Sequence, residues 1–353
     1  MPRVLLFTGS VNQPVSYAPT PGGRGIASFF VDTATGAVEP GPVYTDVVNP
    51  TFVALSGDGR LLAAVSETED QPADTLSLFA VNARTGALTL LGRQSTRGTT
   101  ACHCAFDAAG TMVGAANYTA GTQPPGDAVT VHRIESGAPG PALTRIVHEG
   151  SGPNAARQER SHAHCVCWTP DQTHIAVVDL GIDSVRLYRA TDFSLASETK
   201  LPPGTGPRHI AFHPSKPVAY VMGELMIGVT TLAYSGDGRL DPIATHPVGA
   251  AGALHGSGIV VAPGGTHLFG GDRGNHALAR FTLDPVSGIA TYAGSTPTGG
   301  VHPRDIAFGD KGRLLAVANV LSDDVQVFAH GSDGTLTPLS TIATGTPTGI
   351  AFL

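Results

Sequence analysis

His164, Arg208, Glu224, Arg273 and Arg304 are the residues of this chain whose types could do chemistry together. Histidine and glutamate can take up and return a proton at a reacting centre. Guanidiniums present a rigid fork of donors to a carboxylate, a phosphate or a developing oxyanion. Taken singly, each has a plainer reading as a charge at a strand end that meets solvent or ties neighbouring elements together. Their shared register argues for more. A large apolar anchor recurs as Leu55, Phe106, Trp168, Phe212, Val261, Phe308 and Phe352. Four positions before the anchors stand Thr51, Cys102, His164, Arg208, Ser257, Arg304 and Thr348. Twelve positions after the first six stand Glu67, Tyr118, Leu180, Glu224, Arg273 and Val320. The first set opens one strand, and the second lies just past the end of the strand beside it. In an antiparallel pair those ends share an edge, so both sets ring one mouth. Three arginines around one axis repel each other unless an anion is expected there.

Further candidates for substrate contact are Arg304, Glu67, Arg157, Glu159, His162 and His103. The run His162-Ala163-His164 places two imidazoles on one face of a strand. The polar insertion GSGPNAARQERSH, residues 150–162, carries Arg157 and Glu159; it reads equally as a surface loop or as a lid over the charged mouth. The four cysteines form two C-x-C pairs, Cys102 with Cys104 and Cys165 with Cys167. Structural zinc sites favour C-x₂₋₄-C spacing on turns, so these thiols read as core fillers and no metal is expected. No G-x-S-x-G elbow is present, and the glycine-rich stretches lack the strand–loop–helix context of a phosphate loop. No cofactor motif stands out.

The elements that must position these residues repeat. Each copy has a small apolar strand ending in its anchor, a turn, a second apolar strand and a polar pair. A third strand of alternating pattern follows: TLSLFAV, AVTVHRI, SVRLYRA, GVTTLAY, ALARFTL and DVQVFAH. Turns such as NARTGAL and DPVSGI then lead to a fourth strand. A period of roughly 45–50 residues is that of a propeller blade. The last copy, PTGIAFL, holds only its first strand, and RVLLFTG, GIASFFVD and GAVEPGPVYT supply the rest. The expected fold is all-β: a seven-bladed β-propeller with four antiparallel strands per blade. It forms one domain, residues 1–353, with the first blade split between residues 1–48 and 346–353 and the ring closed by its terminal strands.

The chain has 353 residues and a formal net charge of −7, and 14% of its residues are charged. That acidic balance disfavours nucleic acid as a partner. No apolar run reaches the roughly 18 residues of a membrane span, and Val4–Phe7 is too short for a secretory leader. A cytoplasmic protein, monomeric or a small homo-oligomer, is the expectation.

Five segments carry a resemblance: GSGPNAARQERSHAHCV, GTGPRHIAFHP, VMGEL, GGDRGNHAL and HPRDIAF. They resemble the seven-bladed β-propeller lactonase family, the propeller type of 6-phosphogluconolactonase included, and are similar to carboxymuconate cyclases. The resemblance spans all seven repeats. It implies a central site in which the family histidine is His164, the P-R-H arginine Arg208, the glutamate Glu224, the D-R arginine Arg273 and the next P-R arginine Arg304. Gly223 stands where the family carries asparagine before the glutamate, which bears on the choice of substrate. The implied activity is metal-independent hydrolysis of an anionic sugar-acid lactone, with His164 or Glu224 as the base. A muconate-type cycloisomerase on the same residues is the alternative. A non-catalytic interaction platform is disfavoured by one tryptophan and 6% aromatic residues.

Overall fold

The computed structural model describes residues 3–69, 75–119, 126–248 and 255–353. Among these, the strands form seven antiparallel sheets of four. One short 3₁₀ turn, Asp310–Gly312, accompanies them. Each sheet is a blade, numbered here in the order in which the innermost strands of blades 2 to 7 follow along the chain. Those strands are Pro50–Leu55, Ala101–Phe106, Ala163–Trp168, Pro207–Phe212, Gly256–Val261 and Pro303–Gly309. Blade 1 runs Pro347–Phe352, Arg3–Ser10, Ile26–Asp32, Val38–Tyr44 from the axis outward. Its first two strands pair Leu6 with Phe352, Thr8 with Ile350 and Gly9 with Gly349. The expected closure is therefore present, and it removes the sheet edges that an open array would expose.

The strands form where β-branched and aromatic residues run between turn residues. The hairpins use glycine where the backbone must turn left-handed, as at Gly86 (φ 73°) and Gly288 (φ 74°). In the second of these, Asp284 Oδ1 accepts the Val286 and Ser287 amides and so fixes the turn. The core is not one mass but seven apolar seams between neighbouring blades. Val178, Leu187, Ile210, Val221 and Leu232 fill the seam between blades 4 and 5. Leu6, Val31, Leu314 and Val327 fill the one that closes the ring. Each such side chain contributes about 1.5–3 kcal/mol by leaving water.

One irregularity recurs in every blade and bears on the site. In blade 2, Pro50 pairs with Ser66 and Phe52 with Val65, which leaves Thr51 as an extra residue. Cys102, His164, Arg208, Arg304 and Thr348 are extra in the same way in their own blades. In blade 6 the irregularity falls at Ser257 and Gly258. A bulge re-aims the side chain it carries and twists the strand. Here it sits at the start of each innermost strand, at the channel mouth.

Candidate active site

A cavity of about 340 Å³ opens at that mouth. Bulge residues Cys102, His164 and Arg304 line it, as do Glu67, Tyr118, Glu224 and Arg273, each the first residue past a second strand. Its volume lies in the ~300–1,000 Å³ range of small-molecule sites.

One side of the cavity is organised by Glu224. Its carboxylate is buried and meets three guanidiniums. Arg157 donates to Oε1, while Oε2 lies 2.8 Å from Arg273 and 3.1 Å from Arg208 Nε. The Arg208 contact is an ion pair without hydrogen-bond alignment. Burial alone would raise the Glu224 pKa, but Arg273, Arg208, His164 and Arg157 overcome it and hold the carboxyl well below the usual range. Burial, with Arg273 and Arg304 nearby, brings Arg208 down to about 10. Arg273 also donates to Gly256 O at 2.9 Å. Arg157 reaches across to Tyr118 Oη at 3.2 Å.

His164 stands beside this cluster. Its Nδ1 is 3.6 Å from Cys102 Sγ, which leaves Nε2 on the edge away from the thiol. Burial and the Arg208 charge push its pKa well below 6.5, so the ring is neutral at physiological pH. His302 also lines the cavity and is lowered to about 3, by burial and then Arg273 and Arg304.

The opposite side is organised by Glu67. It pairs with Arg304 at 3.1 Å, and both side chains are buried. The Arg304 guanidinium lies over the Tyr17 ring, 4.4 Å from its centroid. Tyr17 comes from the segment between the second and third strands of blade 1. Reciprocal bonds between Asn12 and Asn49 hold that segment, and Ser16 Oγ donates to Glu69 at 2.6 Å.

Sequence and fold now meet known proteins. The family model described as lactonase, 7-bladed beta-propeller, matches residues 8–352. The chain belongs to this lactonase family. The 6-phosphogluconolactonase of Bacillus subtilis (strain 168) is 31% identical over 341 residues, covering 94% of this chain and 95% of the relative. The 6-phosphogluconolactonase of Formosa agariphila is 26% identical and covers 87% of this chain and 88% of its own. The solved structure of the Pseudomonas aeruginosa periplasmic gluconolactonase superposes with a TM-score of 0.89 at 26% identity, over 100% of this chain and 99% of that one. The protein is thus a 6-phosphogluconolactonase-like lactonase, an enzyme that opens cyclic carboxylic esters.

Of the residues singled out from the sequence, the lactonase brings Glu67, Arg157, His164, Glu224, Arg273 and Arg304 to one cavity, with Arg208 directly behind Glu224. Three are placed elsewhere. His103 follows the bulge at Cys102 and therefore points below the mouth. Its ring lies tilted against Phe52, with centroids 4.1 Å apart, and meets His209 edge to face at 4.9 Å, forming a floor under the cavity. His162 lies behind Tyr118, stacked at 4.3 Å, with Nδ1 2.7 Å from Tyr118 O. Glu159 is exposed and occupied by Arg160 and His162.

The insertion of this lactonase is a fixed strap. Asp179 takes His148 Nδ1 and Ser161 Oγ, each at 2.6 Å, and Gln158 Nε2 bonds Asp183 at 2.8 Å. That clamp delivers Arg157 to Glu224. Cys104 and Cys165 fill seams between blades, but Cys102 borders the cavity, so the expectation that all four thiols are core fillers is corrected there. Tyr17, Ser16, Glu69, Thr100, His255 and His302 line the cavity without having been singled out. Thr100, His255 and His302 each directly precede an innermost strand, so counting six back from the anchor was a signal that could have found them; Ser16 and Tyr17 come from the first loop of blade 1, whose unusual length was the signal there.

Proposed function

We propose that this enzyme hydrolyses a sugar-acid δ-lactone with an anionic substituent, 6-phosphogluconolactone first among them. His164 is the base. It takes a proton from water as the water oxygen bonds to the lactone carbonyl carbon. The carbonyl oxygen gains the negative charge, and the Arg273 guanidinium at the cavity wall stabilises it, with the Arg208 charge close behind Glu224 adding to the field. The ring C–O bond then breaks, and the alkoxide recovers the proton from the His164 imidazolium. Glu224 positions the arginines. A carboxylate clamped by three guanidiniums is too weakly basic to activate water, whereas a neutral imidazole is available. The Arg208 charge that adds to burial in depressing His164 is offset when an oxyanion forms beside the ring, so the ring becomes more basic as the reaction proceeds.

The observation that supports this most directly is the neutral His164 beside an arginine cluster, inside one ligand-sized cavity. The test is a pH-stat assay on 6-phosphogluconolactone, glucono-δ-lactone and δ-valerolactone. Hydrolysis above the spontaneous rate, lost in His164→Ala, is expected. Spontaneous rates on every lactone would overturn the reading.

A further inference from the structure

The two sides of the cavity differ in charge and in what they leave unsatisfied. Around Glu224, three guanidiniums face one carboxylate. At the opposite side, one guanidinium, Arg304, faces Glu67, and Glu69 lines the same wall. An anionic group of the substrate therefore belongs on the Glu224 side. The other side repels a second anion but suits neutral hydroxyls. Glu67 meets Arg304 through one guanidinium nitrogen, at 3.1 and 3.4 Å, so its oxygens keep lone pairs for further donors. Tyr17 adds the decisive detail. Its ring lines the cavity, while its hydroxyl, beside the Glu67 carboxylate and closed off from water, makes no aligned hydrogen bond. A polar group left so in a folded protein costs roughly 1–3 kcal/mol, which a ligand hydroxyl that bridges it to Glu67 can recover. Its ring is held in place by the Arg304 guanidinium and by the small apolar cluster of Val11, Val15 and Ala18.

We propose that Tyr17, Glu67 and Arg304 form a wall that reads the hydroxyl groups of a polyhydroxylated lactone, and so selects sugar-derived lactones over carbon-only ones. This rests on the hydrolytic reading above. It also disfavours a muconate-like dicarboxylate, whose second carboxylate would have to face Glu67 and Glu69. A site built to bond a substrate hydroxyl rejects analogues that lack it, because its own polar groups are then stranded.

The test compares kcat/KM for glucono-δ-lactone and δ-valerolactone in the wild type, Tyr17→Phe and Glu67→Gln. Tyr17→Phe is the cleaner variant, since the hydroxyl it removes makes no aligned hydrogen bond in the protein. The wild type should favour gluconolactone after correction for spontaneous hydrolysis. Tyr17→Phe should shrink that preference about tenfold, the worth of one neutral hydrogen bond, with the loss carried by gluconolactone. Glu67→Gln should shrink it in the same direction. A preference within twofold of wild type in Tyr17→Phe, or equal losses on both lactones, would overturn the proposal. A wild type that hydrolyses both without preference would overturn it while leaving the hydrolytic reading intact. A wild type inactive on these and on 6-phosphogluconolactone would remove both.

Discussion

Glu67 and Glu224 occupy the same place in blades 2 and 5, the first residue past the second strand, and both are buried. Their surroundings diverge. Glu224 gathers Arg157, Arg208 and Arg273, while Glu67 has Arg304 with the Tyr17 ring over it. The repeat sets where a side chain stands at the mouth. What surrounds it depends partly on segments that do not repeat: the strap that brings Arg157 and the blade 1 loop that brings Tyr17. One ring of equivalent positions thus acquires an anion-seeking side and a side with no surplus of positive charge.

The most severe way to break this comparison is to remove the carboxylates. Glu224→Ala leaves the buried Arg208 and Arg273 and the half-exposed Arg157 facing one another, and a loss of about 3–5 kcal/mol is expected in denaturant unfolding. Glu67→Ala should cost less, because Arg304 keeps the Tyr17 ring against its face. Equal losses would erase the distinction between the sides. Next in size are the reacting groups. Arg208→Ala and Arg273→Ala should each lower kcat by about 10²–10³, and His164→Ala similarly, while Arg304→Ala should act mainly through KM. A kcat loss for Arg304→Ala as large as for Arg208→Ala would mean that the oxyanion sits elsewhere.

Acid sharpens the comparison further. Burial and the arginines lower His164 and His302, and burial with Arg208 lowers His209. Below about pH 6.5 the unfolded chain protonates these rings while the native protein does not, so stability should fall as pH drops from 7 to 5. Asp305 works in the opposite sense. Burial raises it to about 6, so its charged form is a cost above that pH that protonation relieves on acidification. Three histidines outweigh one aspartate, and urea midpoints at pH 7 and 5 check the sign. For the same reason the acid limb of kcat should lie below pH 6.5. The smallest effect is expected at Cys102, which lies between the sides and feels Glu67, Arg208 and Arg304 together. Cys102→Ser replaces a weak contact to His164 by a hydroxyl and should change kcat by less than about tenfold. A larger change would give the thiol a part in orienting His164.

Much of this was legible in advance. The anchors from Leu55 to Phe352 marked every innermost strand, and counting from them brought Arg208, Glu224, Arg273 and Arg304 to one mouth. The bulge was not legible, because alternating apolar residues look alike with or without one extra position. That is why His103 was expected at the mouth and is found in the floor. His162 and Glu159 failed differently: their place depends on how the strap folds onto Asp179 and Asp183, which are remote in sequence. Tyr17 escaped because a loop residue has no register to count from.

The pairing of Arg3–Ser10 with Pro347–Phe352 also sets a timetable. At the ~5–20 residues per second of protein synthesis, the first of these strands waits roughly 20–70 s for the second. Such distant pairing is slow to form. The Glu224 cluster draws on residues 157 to 273, all contributed by the insertion and blades 5 and 6. Tyr17 and Glu67 can meet Arg304 only after blade 7 exists and the ring shuts. The last part of the cavity to be assembled is therefore the wall that discriminates, and a nascent or partly opened ring would gain its anion-binding half before its selectivity.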